Sequence, residues 1–171
     1  MSGFIQYDEA NAKFHRGLRI KTLPLYSFDF HHQYVKELKK TFVDTNKLKG
    51  IATHNKWIEN DWDWLEKLKD EVVIVTDARL RIVFASHNIV KMNGYVEAEV
   101  LGKSPKMFQG EATNHITSNE IRMAILDQQP FEKVVMNYKK TGEDYACLIQ
   151  GFPVYNVKGK LSHYIAFEKA A

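Results

Sequence analysis

The 171-residue chain is 44% hydrophobic and 26% charged, with a formal net charge of +3, the balance of an ordinary soluble globular protein. Its charges are spread over both halves without a basic excess, which excludes a nucleic-acid surface. One cysteine, Cys147, excludes an internal disulfide and a multi-cysteine zinc site. No apolar run approaches the roughly 20 residues of a membrane-spanning helix, so a cytoplasmic protein with neither membrane nor nucleic-acid partners is expected.

Residues 1 to about 28 show weak periodicity. Arg19 to Leu23 alternates like a short strand that Pro24 interrupts, and the stretch reads as an extended arm. From Asp29 the period becomes helical. Tyr34, Val35, Leu38, Phe42 and Val43 share one face, which should turn inward, while Lys36, Glu37, Lys39 and Lys40 face out. Ser27 or Asp29 should cap this helix and Gly50 should end it. A second helix is predicted over Thr53 to Lys69, acidic at its start and basic in its last turn, as the macrodipole favours. Its apolar side carries Trp57, Ile58, Trp62, Leu65 and Leu68. At about 25 cal/mol per Å² of apolar surface, these side chains must pack on the following domain or on a second copy of the chain. The second option makes them a candidate homodimer seam. The adjacent His31 and His32 point to different helix faces and make a poor metal pair, so no metal site is expected.

After Asp70 the pattern turns to strands. Val72 to Asp77 and Arg81 to Ser86 read as a hairpin about Ala78-Arg79-Leu80. Asn88 to Met92 is a short helix closed by Asn93-Gly94, and Val96 to Leu101 is another, ended by Gly102. The stretch from Gly102 to Gly110 is an irregular connector, with apolar Met107 and Phe108 beside polar Ser104, Lys106 and Gln109. Thr117 or Ser118 should cap a helix running to about Asp127, with Ile121, Ala124 and Ile125 on one face. Strands follow over Phe131–Lys139, Asp144–Tyr155 and Leu161–Glu168, turning at Lys140-Thr141-Gly142 and Asn156-Val157-Lys158-Gly159. Strands at both ends with helices between them predict an α+β fold, one antiparallel sheet with the short helices on one face.

This order resembles a PAS domain over roughly residues 70–169. The residues that carry the resemblance are Ile74-Val75-Thr76-Asp77, Ile82-Val83-Phe84-Ala85-Ser86, Met92-Asn93-Gly94-Tyr95, Glu99-Val100-Leu101-Gly102-Lys103 and Asn137 to Glu143. It implies a five-stranded PAS domain over 70–171, preceded by an arm and amphipathic helices over 1–69. In local wording the chain is most similar to the blue-light-sensing LOV group. The LOV counterpart of the connector reads Gly-Arg-Asn-Cys-Arg-Phe-Leu-Gln-Gly, and its cysteine forms a photoadduct with flavin. Pro105 stands at that position here and has no nucleophile. The neighbouring asparagine has become Ser104, while Gln109 and Gly110 are kept. Of three positions at the flavin's polar edge, Asn137 matches, the second asparagine has become Cys147 and a glutamine has become Glu168. Lys106 and Arg122 stand where arginines hold the flavin phosphate.

The resemblance therefore implies a candidate pocket formed by Thr76, Ser104, Lys106, Gln109, Arg122, Ile125, Asn137, Cys147, Ile149, Tyr164 and Glu168. Cys147 also reads as a plain core residue, Glu168 as a solvated residue near the chain end, and Lys106 and Arg122 as surface charges. His115, at the entrance to the last helix, is a poor haem ligand, and haem is not expected. Walker, nucleophile-elbow and zincin motifs are absent, and no enzyme activity is expected. The expected function is a non-catalytic sensory and signalling module that acts through dimerisation and contact with a signalling protein. The signal would leave through the N-terminal helices or the sheet surface. Two alternatives stand beside it: a sensor holding flavin (FMN or FAD) or another small molecule non-covalently, and a structural adaptor whose pocket is filled by Met107, Phe108, Ile125 and Ile149.

Overall fold

The structure is a computed structural model and describes residues 26–58 and 62–171, with side-chain burial from 32 onward. The arm expected before Pro24 lies outside the described residues. The chain forms two compact units, Met1–Glu37 and Leu38–Ala171. Within the second unit, Leu48, Trp57, Trp64 and Leu68 share the core of the sheet.

Helix α1 (Tyr26–His54) continues through Gly50. A mid-helix glycine costs about 1 kcal/mol against alanine, but Leu48 is fully buried on one side of it, and Ile51 and Ala52 pack on the same cluster. Within the second unit, the helix faces the opposite way from the sequence expectation. Thr41, Asp44, Thr45 and Leu48 are buried, whereas Leu38, Phe42 and Val43 are about half exposed. Specific polar contacts decide the orientation. The Asp44 carboxylate accepts from the His87 backbone N–H at 2.7 Å and lies 2.7 Å from its Nδ1. The Thr45 hydroxyl donates to the Thr41 carbonyl one turn back.

The predicted helix over 53–69 is not continuous. Lys56 takes φ +51°, and the chain then pairs with the last hairpin. Trp57 bridges to Asn156, the Ile58 N–H donates to Tyr155 O, and the Val157 N–H to Lys56 O. A short α2 (Trp64–Asp70) restarts behind an Asp63 cap that accepts from the Glu66 N–H. The aromatics sit against the sheet of their own chain. Trp57, Trp64 and Leu68 join Val73, Val75, Phe84, Val154, Ile165 and Phe167 in one cluster, with Trp62 and Phe152 packed on it. The proposed seam is corrected accordingly: Trp57, Trp62 and Leu68 are spent within the chain, and Ile58 and Leu65 alone of that set are exposed.

The sheet comprises β1 (Val72–Asp77), β2 (Ile82–Ala85), β3 (Phe131–Tyr138), β4 (Asp144–Tyr155) and β5 (Leu161–Ala170). All neighbours are antiparallel, in the order β2-β1-β5-β4-β3. In the β1–β2 turn, the Asp77 carboxylate accepts from the backbone N–H groups of Arg79 and Arg81. Strand side chains alternate between faces, and β1 is buried on both. Val73 and Val75 meet the tryptophan cluster, while Val72 and Ile74 meet Ile89, Val100 and Phe108 on the other side. That second face carries α3 (Ile89–Asn93), closed by Gly94 at φ +81°, α4 (Glu97–Val100) and a single 3₁₀ turn, Pro105–Phe108. Helix α5 (His115–Leu126) follows them. It starts one turn earlier than predicted because the Asn114 side chain accepts from the N–H groups of Ile116 and Thr117.

One contact on the tryptophan side carries a pH dependence. The Trp57 indole N–H donates to His163 Nδ1 at 3.0 Å, so that nitrogen must be unprotonated. Burial holds the imidazole below its ordinary value, against an opposing pull from Asp77. With a folded-state value below the unfolded value of about 6.5, the native state resists protonation. Its contribution is complete above roughly pH 6.5 and is lost as the pH falls below it. Urea unfolding should show this decline as a pH-dependent difference between the wild type and a variant that lacks the contact. Trp57→Phe, which keeps the ring and loses the donor, should cost about 1 kcal/mol near neutrality and flatten the acid-side slope. An unchanged slope would assign the acid sensitivity elsewhere.

Candidate functional site

Between the sheet and the α5 side lies a cavity of about 550 Å³, within the range of small-molecule sites. Its floor is the face of the sheet that alternation exposes to the helices, with Ile74 and Thr76 of β1, Asn137 of β3, Ile149 and Gly151 of β4, and Tyr164, Ala166 and Glu168 of β5. One wall is the 3₁₀ turn with Ser104, Pro105, Lys106, Phe108 and Gln109, and the other is α5 with Ile121, Arg122 and Ile125. No residue of α5 is fully buried. The helix is moored instead through the Tyr164 hydroxyl, which donates to Ile125 O at 2.6 Å. Ahead of α5, the Thr113 hydroxyl donates to Met136 O and accepts from the Gly110 N–H, and the Ala112 N–H donates to the Tyr138 hydroxyl.

The cavity wall brings together every residue of the sequence-derived pocket except Cys147. The cysteine is corrected: it lies outside the wall, fully buried, with its Sγ 3.8 Å from Glu168 Oε2. Burial first, and then the neighbouring Glu168, push its thiol far above the ordinary range. Several wall residues were not anticipated, among them His115, Ser118 and the glycines Gly110 and Gly151. A Cβ on Gly151 would stand 2.3 Å from the Phe131 ring, and one on Gly110 would stand 2.5 Å from the Tyr138 ring. A glycine inside a strand pattern signals such a close approach, and Gly151 carried that signal. His115 is the first residue of α5 and exposed at the rim, not ahead of the helix.

The deep end of the cavity is polar. Thr76, Asn137 and Glu168 are each about 95% buried. Glu168 is held in register between Val72 of β1 and Ile149 of β4. Burial raises its carboxyl from the ordinary range up to about 7, eased slightly by the Cys147 thiol. The Thr76 hydroxyl has no hydrogen-bond partner among the described residues, although a buried hydroxyl without one is costly. Lys106 and Arg122 lie at the exposed rim. The wall thus offers an apolar body with buried polar residues at one end and cations at the rim. That donor set suits a planar ring with a polar edge and an anionic tail. The adaptor alternative is not supported, because Phe108, Ile125 and Ile149 line the cavity instead of closing it and Met107 packs into the neighbouring core cluster. Among the described residues, no group of three His, Cys, Asp or Glu could hold a metal ion, and no helix is long and apolar enough to cross a membrane.

Comparison with known proteins gives consistent matches. The family model described as the PAS fold matches residues 67–168. Protein TWIN LOV 1 of Arabidopsis thaliana is 33% identical over 112 residues, covering 61% of this chain and 28% of that protein. A blue-light-activated histidine kinase of Brucella canis is 34% identical over 85 residues, covering 50% of this chain and 17% of the kinase. The chain therefore spans less than a third of the length of these relatives. Among solved structures, the light-state dimer of the fungal blue-light photoreceptor Vivid is 26% identical with a TM-score of 0.55, covering 57% of this chain and 76% of that one. The light-state structure of the Aureochrome1 LOV domain has a TM-score of 0.58 at 24% identity, covering 62% and 85%, a likeness of fold alone.

Proposed function

This chain belongs to the PAS fold family, and we propose that it is a non-catalytic sensory module whose cavity holds a small planar ligand and whose occupancy is relayed by protein contact. One observation carries this reading: a cavity of about 550 Å³ with an apolar body, a polar inner end and cations at its mouth. Ligand binding shifts such a module only through differential affinity for two arrangements. Helix α5, moored at its last turn by Tyr164, is the wall best placed to differ between them.

A flavin is the ligand class we favour, held non-covalently. The donor set fits it, and a relative of this chain is named a blue-light-activated histidine kinase. When bound, a flavin supplies light absorption and reversible redox chemistry. Asn137 would hold its ring edge, and Lys106 and Arg122 its phosphate. No cysteinyl adduct is expected, because Pro105 occupies the wall where the resemblance to LOV domains implies a cysteine. The only cysteine lies outside the wall with its thiol held protonated.

The test is an absorption and fluorescence titration of the purified chain with FMN, including a sample stripped of any co-purified cofactor and reloaded. Saturable binding is expected, with flavin absorbance that blue light does not convert to the bleached adduct form. Arg122→Ala should weaken FMN about tenfold or more, the scale of one lost charge-assisted contact, and should leave riboflavin, which lacks the phosphate, nearly unaffected. Failure of FMN to bind the reloaded chain would remove flavin from the reading.

A further inference from the structure

Two observations at the inner end of the cavity remain after the fold and the proposed ligand site are accounted for. A buried carboxyl, Glu168, forms part of the wall and has no ion pair among the described residues; the Cys147 thiol lies 3.8 Å from its Oε2. Thr76 forms part of the same wall, and its buried hydroxyl has no hydrogen-bond partner among the described residues. Polar side chains so deeply buried are ordinarily satisfied. A wall that sets a buried carboxyl beside a buried, unpartnered hydroxyl is complementary to something with hydrogen-bonding atoms at its buried edge.

The chemistry of the two groups says what that edge must be. An ionised carboxylate only accepts hydrogen bonds, whereas a protonated one has a donor as well. A hydroxyl donates or accepts and follows either partner. Glu168 therefore decides the polarity of the inner end, and Thr76 adapts. The groups facing Glu168 leave that decision to the ligand. From β4 come the Cys147 thiol and the Tyr145 hydroxyl, both pushed upward by burial and both neutral near pH 7. From β3 comes the uncharged Asn137, and from β1 the apolar Val72 and Ile74 and the hydroxyl of Thr76. On its own strand the cavity-facing neighbours are Tyr164 and Ala166. Across the cavity the ionisable groups are His115 and Arg122 of α5 and Lys106 of the 3₁₀ turn, all exposed at the rim.

We propose that Glu168 is the specificity-determining residue of the cavity, selecting planar rings that donate N–H at their buried edge when it is ionised and rings that accept there when it is protonated, so that occupancy is tied to one proton. This rests on the reading of the cavity as a ligand site and does not require the ligand to be a flavin. A ring that donates an N–H to the carboxylate drives Glu168 to lose its proton to solvent. A ring that accepts retains that proton in the O–H···N bond. With the carboxyl near 7 in the empty protein, the ionised fraction rises about tenfold between roughly pH 6 and pH 8, and the affinity for each ring type follows that fraction or its complement.

The experiment uses two matched bicyclic probes that do not titrate in this range, indole as a donor and quinoxaline as an acceptor. Each is titrated into the full chain by amide NMR shifts at about pH 6 and about pH 8. In the wild type, indole affinity should rise about tenfold with pH and quinoxaline affinity should fall by a similar factor. Glu168→Gln, which keeps the shape and removes the titration, should be flat for both. Thr76→Val should weaken both probes and keep the pH response, and it serves as the second variant if the first is poorly folded. A flat wild type, equal pH responses in wild type and Glu168→Gln, or no shift of the wall residues by either probe would overturn the proposal. FMN titrated on the same samples separates the two readings. Indole following Glu168 while FMN fails to bind sinks the flavin reading alone, and FMN binding with flat probe responses sinks this one alone.

Discussion

Replacing Glu168 by glutamine should make the protein more stable above neutrality, by about 2–3 kcal/mol, with no gain below roughly pH 4.5. Burial raises the carboxyl to about 7 in the folded chain from an ordinary value of 4.5. A folded-state value above the unfolded one gives a contribution that is fully present below the unfolded value and is lost as the pH rises through the folded one. Below about pH 4.5 both states carry the proton and the site is neutral in the balance. Between there and about pH 7 the unfolded chain gives up its proton and the folded chain does not, so stability falls. Above that the folded chain holds a buried charge with no ion-pair partner among the described residues. At about 1.4 kcal/mol per pH unit the full difference comes to about 3.5 kcal/mol, less about 1 kcal/mol for burying the amide in its place. Urea unfolding of both proteins across the range gives the result directly. A constant offset between them, or a less stable variant at high pH, would mean that Glu168 is solvated in the folded chain. The His163 effect has the opposite sign and overlaps this range below about pH 6.5, so each titration is read as the difference between the wild type and its own single variant.

The site's location was legible in the sequence through the resemblance to LOV domains, which implied the pocket residues. The strands were legible from β-branched runs such as Val72 to Val75 and from the hairpin turns around Gly142 and Gly159. The structure brings Thr76, Asn137, Ile149, Tyr164 and Glu168 to one cavity wall. The character of the site was less legible. Glu168 sits close to the last residue and reads naturally as solvated, yet β5 is the central strand of the sheet and carries its carboxyl into the core. Cys147 is a pocket residue only by the resemblance and a core residue by its strand pattern, and the structure buries it outside the cavity wall. Helix α1 misled most. Its hydrophobic period is real, but the face that docks is chosen by Asp44 meeting His87 and by Leu48, contacts between residues about 40 apart that no local pattern encodes. The tryptophans followed the same logic: a short aromatic-rich segment must bury its rings, and whether it finds its own sheet or a second copy is decided by a turn at Lys56 with positive φ, which lysine seldom adopts.

That reversal makes Leu48→Ala the sharpest test of how the N-terminal helix is attached, with an expected cost of about 3 kcal/mol. Leu48 is fully buried, and it is the residue of α1 that enters the cluster of Trp57, Trp64, Phe84 and Phe167 on the far face of the sheet. Truncating it removes apolar contact and leaves a cavity beneath the helix that Trp57 is not free to fill. Trp57 is held to His163 and to the last hairpin, so it cannot move in to fill the space. The loss should be expressed at the helix first. Amide exchange should accelerate over Leu38–His54 before it does in β1 and β5, since the strands keep their ladders and the opposite cluster around Ile89 and Phe108 is untouched. Phe42→Ala is the matched control. Its side chain is 61% exposed, and its removal should change stability by no more than about 0.5 kcal/mol. If the sequence expectation were right and the Leu38–Phe42 face were the buried one, the two variants would exchange their effects. A large loss on Phe42→Ala with a small one on Leu48→Ala would therefore overturn the orientation of α1, and with it the assignment of the tryptophan face to the chain's own core.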